Sequence, residues 1–222
     1  MSDRPGLIGR RWYDFANLVA FPFYSFGFSY RYSGRAHVPR RGPVLVVSNH
    51  QSMLDPVLIG ACTNRYLTFL ARSTLFSVPV IGPLIRSLNA IPIDRNMGKD
   101  GIQSVLERLA FGQAVLMFPE GERTHTGEVQ PLKPGVSLLI KRVMCPIVPV
   151  GIAGCFAGWN RFMKWPRWSP PFVAPGPSTI GVAIGKPIDP KRYQGMDRTA
   201  MLDDLRMELA LQKEAAERLR RK

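Results

Sequence analysis

A chain of 222 residues that is 45% hydrophobic has enough apolar side chain for a real core, which excludes a disordered polypeptide. Its formal net charge of +14 demands an anionic partner: nucleic acid, a membrane surface or a phosphorylated substrate. Three cysteines, Cys62, Cys145 and Cys155, lack CxxC spacing, which argues against a disulfide framework or a zinc site and favours a reducing compartment.

Residues 15–30 hold no charge, but they number only 16 and include Asn17, Pro22 and Gly27; a spanning helix wants about 20 predominantly apolar residues. Ten aromatics between Trp12 and Tyr32, flanked by Arg10, Arg11, Arg31 and Arg35, suit the headgroup region. The segment reads as lying on a membrane surface, with a packed N-terminal helix as the alternative. A signal peptide is disfavoured, because no small-x-small cleavage site follows.

Residues 44–47 read as a buried strand, and 52–61 as a helix capped by Ser48 or Asn49. A strand over 66–71 precedes a helix or turn from Thr74 and a break at Pro79, Gly82 and Pro83. Residues 90–93 make a short strand that ends in Asp94 and Arg95. Ile102, Val105, Leu106 and Leu109 have helical spacing, which predicts a helix over 99–111. Strands follow at 114–118 and 147–152 around a helix at 135–142. Pro149 inside the second of these strands implies an edge or a distortion. Between 159 and 177, Trp159, Phe162, Trp165, Trp168 and Phe172 alternate with Arg161, Lys164, Arg167 and five prolines. That segment will not be regular. It suits a membrane interface or a nucleic-acid strand, or else covers the core edge as a loop. A last strand at 179–184 leads to a charged helix over 199–222 with Leu202, Leu205 and Leu209 on one face.

Strands alternating with helices predict an α/β fold: a mostly parallel central sheet flanked by helices, with an aromatic, membrane-associating N-terminal helical segment. The division this suggests is a membrane-associating segment over 1–35, a main α/β domain over 36–195 and a charged C-terminal helix over 196–222.

The chemistry concentrates after the first strand, in Ser48-Asn49-His50-Gln51-Ser52-Met53-Leu54-Asp55-Pro56. An imidazole beside a carboxylate is a general base held in one tautomer. A helix turns about 100° per residue, so side chains five apart lie roughly 140° apart and do not meet within one helix. His50 must therefore sit at or before the helix start, with Asp55 one turn inside. The alternative is a helix-entry histidine, with Asp55 merely favouring the first turn. Phe118-Pro119-Glu120-Gly121-Glu122-Arg123 closes another strand. There Gly121 permits close backbone approach, Glu120 can accept from a hydroxyl and Arg123 can grip a phosphate. Arg95 stands at a strand end, free for a ligand or paired with Asp94.

Four blocks in this order over residues 43–152 resemble those of the glycerophospholipid acyltransferases, especially the 1-acyl-sn-glycerol-3-phosphate (lysophosphatidic acid) acyltransferases. Asn49 to Asp55 is similar to the family's NHxSxxD block, Ala90 to Arg95 to its second block, Phe118 to Arg123 to its FPEG-x-R block, and Ile147 to Val150 to its fourth. The resemblance implies acyl transfer from acyl-CoA or acyl-carrier protein, as co-substrate, to a lysophospholipid hydroxyl, with no cofactor, metal or acyl-enzyme. His50 would be the base and Asp55 its orienter. Arg72, Arg95 and Arg123 would bind the glycerol phosphate, and Glu120 and Gly121 would shape the acceptor pocket. Glycerol 3-phosphate or a lyso-aminolipid are alternative acceptors. An anionic membrane surface is the expected partner, nucleic acid is not, and the expected place is the cytoplasmic face, peripheral or monotopic. The chain departs from the family at Glu122, commonly Thr, and at Asn89, frequently Gly, which leaves the acceptor head group open. A non-enzymatic basic protein binding nucleic acid or membrane would explain the charge but not the ordered blocks. A metallophosphoesterase around Asn49 and His50 lacks an Asp-x-His partner. His125 and Lys133 receive no role.

Overall fold

The computed structural model describes residues 7–93, 99–172 and 174–222. The chain begins with helix α1 (Leu7–Phe28) and strand β1 (Arg31–Ser33). Then follow β2 (Val44–Ser48), α2 (Asp55–Thr63), β3 (Leu67–Arg72), α3 (Ile81–Ser87) and β4 (Ala90–Ile93). After α4 (Lys99–Ala110) come β5 (Ala114–Met117), α5 (Gly135–Arg142), β6 (Ile147–Ala153), α6 (Cys155–Trp159), β7 (Gly181–Ile184) and α7 (Arg198–Arg220). The strands form one sheet in the order β1-β7-β6-β2-β5-β3-β4, parallel throughout except where β7 runs antiparallel to β6.

The alternating side chains of the central strands feed two apolar layers. Val44, Val46, Leu116, Val148 and Ile152 pack with Leu58 and Ile59 of α2 and with Tyr24 and Phe28 of α1. Leu45, Val47, Val115, Met117 and Ile147 face Ile102 and Val105 of α4, Leu139 and Ile140 of α5, and Leu205 and Leu209 of α7. Continuous apolar strands are what a sheet covered on both faces requires. Helix α7 starts at Asp197, whose carboxylate accepts from the N–H groups of Thr199 (2.8 Å) and Ala200 (3.1 Å). It lies so close to the sheet that a Cβ at Gly151 or Gly181 would overlap its backbone, at Gln212 and Ala216 respectively.

Three expectations change. Helix α2 starts at Asp55 rather than at residue 52, and neither Ser48 nor Asn49 caps it. The Asn49 amide instead spans to β6, donating to Ile152 O (3.0 Å) and accepting from Ile152 N (2.8 Å). Pro149 marks neither an edge nor a break: β6 is central, paired with β2 and β7. Pro149 O accepts from Gly185 N (2.9 Å), so its missing N–H points the same way, towards β7, whose ladder with β6 begins one residue later at Val150. The proline and glycine positions at 79–83 do not form a break alone, because Gly82 and Pro83 lie in the first turn of α3.

No described helix is long and apolar enough to cross a membrane. Helix α1 carries Pro22 internally and buries Tyr13, Tyr24 and Phe28, while Phe15, Leu18, Val19, Phe23 and Phe26 remain exposed.

Candidate active site

Strands β2, β3, β5 and β6 are mutually parallel, so their carboxyl ends meet along one rim, where open α/β sheets place their ligands. Residues 49–54 leave β2 there and enter α2 at Asp55, whose Oδ2 receives three donors. These are Gln51 N at 2.6 Å, Ser52 N at 2.8 Å and His50 Nδ1 at 2.8 Å. The 140° problem is avoided because His50 precedes the helix by a full loop and Asp55 is its first residue, not a residue one turn inside. A carboxylate can only accept, so Nδ1 carries the proton and Nε2 keeps the lone pair.

The rest of His50 is equally constrained. Its N–H donates to Glu120 Oε1 (2.7 Å), and its carbonyl accepts from Thr124 N (2.7 Å). Phe118 stacks on the ring with centroids 4.0 Å apart and planes 17° apart. The imidazole side chain is 18% exposed, against none for Asp55, so the ring reaches solvent while the carboxylate that holds it does not. The buried Cys155 thiol neighbours Asp55; burial first, then the Asp55 charge, push it well above its ordinary range.

Glu120 is buried, with Oε2 accepting from Gln130 N at 2.8 Å. Each of its oxygens is thus held by a backbone N–H, which makes it a brace for His50 rather than an open acceptor for a hydroxyl. Burial pushes its carboxyl up from 4.5 to about 7, against the two hydrogen bonds that lower it, and the Asp55 charge adds to the rise. Gly121 takes φ +74°, a left-handed turn closed by Gly121 N on Phe118 O (3.0 Å). Arg123 is half-buried. Burial presses its pKa downward, the nearby Arg161 and Arg72 guanidiniums add to this, and Asp55 opposes it. Arg72 ends β3, exposed on the same rim. Arg95 and Asp94 lie outside the described residues.

Five contributors escaped the sequence reading. Phe118 stacks on the His50 ring, and Thr124 and Gln130 tie down the neighbouring loops. Gln51 bridges Gly127 O (2.9 Å) to Phe156 N (3.1 Å), and Arg161 reaches the loop after β5. Phe118 and Gln51 had a signal in their places within the FPEG and NHxSxxD blocks, and Arg161 in the aromatic-cationic segment; Thr124 and Gln130 had none. Among the described residues, no cluster of His, Cys, Asp or Glu could hold a metal ion.

A family model described as Acyltransferase matches residues 29–153, more than half of the chain. The chain is 29% identical over 143 residues to the 1-acyl-sn-glycerol-3-phosphate acyltransferase BAT2, chloroplastic, of Brassica napus, covering 63% of this chain and 40% of that protein. It is 28% identical over 132 residues to the 1-acyl-sn-glycerol-3-phosphate acyltransferase of Bacillus subtilis, covering 59% and 65%. It is also 34% identical over 136 residues to the human 1-acyl-sn-glycerol-3-phosphate acyltransferase alpha, covering 57% and 46%. The chain therefore spans less than two thirds of the length of these relatives. Its fold is similar to that of the 1-acyl-sn-glycerophosphate (LPA) acyltransferase PlsC from Thermotoga maritima. The TM-score is 0.73 at 24% identity, over 97% of this chain and 80% of that one. The family match spans both the His50–Asp55 loop and the Glu120–Arg123 loop, and the chain belongs to the Acyltransferase family.

Proposed function

We propose that this protein transfers a fatty acyl chain from an acyl thioester to the free hydroxyl of lysophosphatidic acid, giving phosphatidic acid. The observation that carries the reading is the His50–Asp55 couple, with Nδ1 fixed on Oδ2 at 2.8 Å and the ring partly exposed. Nε2 takes the proton as the acceptor hydroxyl attacks the thioester carbonyl. The tetrahedral intermediate expels the thiolate, which recovers that proton from the imidazolium, so no acyl-enzyme forms. Base catalysis of this kind supplies about 10²–10⁴-fold, and positioning supplies the rest. Arg123 and Arg72 bind the acceptor phosphate, joined by Arg95. Glu120 and Gly121 act on the pocket by fixing the His50 backbone and the turn before Arg123.

The names of the curated relatives support lysophosphatidic acid as the acceptor. Exposed aromatics and the +14 charge support action from the cytoplasmic face of an anionic membrane, without a spanning helix among the described residues. The test is a transfer assay of the purified protein with lysophosphatidic acid and glycerol 3-phosphate, each offered acyl-CoA and acyl-carrier protein. Turnover of lysophosphatidic acid well above glycerol 3-phosphate is expected with at least one donor. Inactivity with all four pairs would overturn the reading.

A further inference from the structure

Arg161 lies 38 residues from Arg123, in the irregular aromatic segment after α6. Its Nη1 donates to Arg123 O (3.1 Å) and Glu122 Oε2 (3.1 Å) and meets His125 Nε2 at 2.8 Å. Its guanidinium also sits 5.8 Å from the Phe162 ring centroid. The chain leading to it is fastened to the catalytic loop, since Ser52 Oγ donates to Trp159 O (2.6 Å) and Phe156 N donates to the Gln51 side chain (3.1 Å). Arg161 therefore holds a fixed place beside the loop after β5.

Glu122 creates a problem that this place solves. It sets a partly exposed carboxylate next to Arg123. With only His125 Nε2 at 3.5 Å beside it, it would compete with an incoming phosphate for Arg123 and Arg72 and repel it. The Arg161 hydrogen bond holds the Glu122 carboxyl below its usual range. The bond to Arg123 O fixes the backbone from which the phosphate-facing side chain departs.

We propose that Arg161 is a positioning residue for the acceptor-phosphate site, cancelling the Glu122 charge and fixing the Arg123 backbone so that Arg123 and Arg72 face the phosphate. The proposal rests on the reading of Arg123 as a phosphate ligand. It also ties that site to the segment that carries the exposed aromatics Phe162 and Trp165.

The experiment is steady-state transfer by the full chain to lysophosphatidic acid in phosphatidylcholine vesicles. Arg161→Gln should raise the acceptor KM about tenfold, the scale of a lost charge-assisted hydrogen bond, and leave kcat within about twofold. Adding Glu122→Gln should return the KM most of the way, because it removes a charge that the first change left with only the longer His125 contact at 3.5 Å. Arg161→Lys, which keeps the charge but loses the planar fork, should fall between. A fall in kcat at unchanged KM, wild-type behaviour of Arg161→Gln, or a double variant no better than the single one would each overturn the proposal. Arg123→Gln separates the two levels. If it raises the acceptor KM while the Arg161 series fails, only the proposal falls; if it leaves the KM unchanged, the phosphate site falls with it.

Discussion

At the scale of single residues, the site is a set of fixed backbone positions around one partly exposed imidazole. His50 is held at its N–H, its carbonyl, its ring nitrogen and its ring face. Each tie comes from a loop that follows a strand of the same sheet, or from the helix that follows. The His50–Asp55 pairing was legible, because both residues lie in one short stretch after a readable strand, although the helix start predicted at residue 52 falls at Asp55. The Phe118 stack, the Gln130 brace and the Arg161 contact were not, because they join segments brought together only by the parallel sheet. Asn89 shows a departure acquiring a reason. Its φ of +69° is a left-handed conformation that suits glycine or asparagine, and its amide reaches Thr68 Oγ1 at 2.6 Å.

Glu120 makes a pH-dependent contribution whose direction follows from its burial. Folded, it holds its proton up to about 7, whereas the unfolded chain releases it near 4.5. The folded state therefore binds more protons across that window, and the contribution of Glu120 to stability falls as pH rises through it. Glu120→Gln should flatten this slope in urea midpoints measured between pH 4.5 and pH 7. It should also be less stable at the alkaline end, because the amide NH₂ must face either His50 N–H or Gln130 N–H, an unmet donor pair costing about 1–3 kcal/mol. An unchanged slope would remove the account of Glu120 as a buried brace.

Among the elements, the alternation of strands and helices was readable because each central strand is a short apolar run between turn signals. Strand β1 was not, since three residues carry no period; its existence depends on β7 beside it. The central place of β6 was hidden by Pro149, whose missing donor falls one residue before the β7 ladder. The approach of α7 to β6 and β7 is set by glycine. Gly151→Ala should force α7 off the sheet and cost about 1–3 kcal/mol or more, as overpacked cores do. A thermal melt reads this, and an unchanged Tm would contradict the packing described.

Across the whole molecule, the +14 charge and the exposed aromatics are the features from which membrane binding is proposed. Phe162, Trp165 and Phe172 are 67%, 73% and 85% exposed, on the segment fastened to the loop that carries His50. Burying one such ring in a lipid interface is worth about 1.5–3 kcal/mol. Replacing all three by serine should lower partition onto phosphatidylcholine vesicles by at least about a hundredfold, while the residual binding to anionic vesicles becomes steeply salt-dependent. Cosedimentation measures both, and unchanged partition would place the lipid contact elsewhere, on α1 or α3.

The most direct measurement compares wild type and His50→Ala for acyl transfer to lysophosphatidic acid on vesicles, with cosedimentation recorded on the same samples. The variant should bind vesicles like wild type and turn over about 10²–10⁴-fold more slowly. Full transfer by His50→Ala would contradict the general-base account.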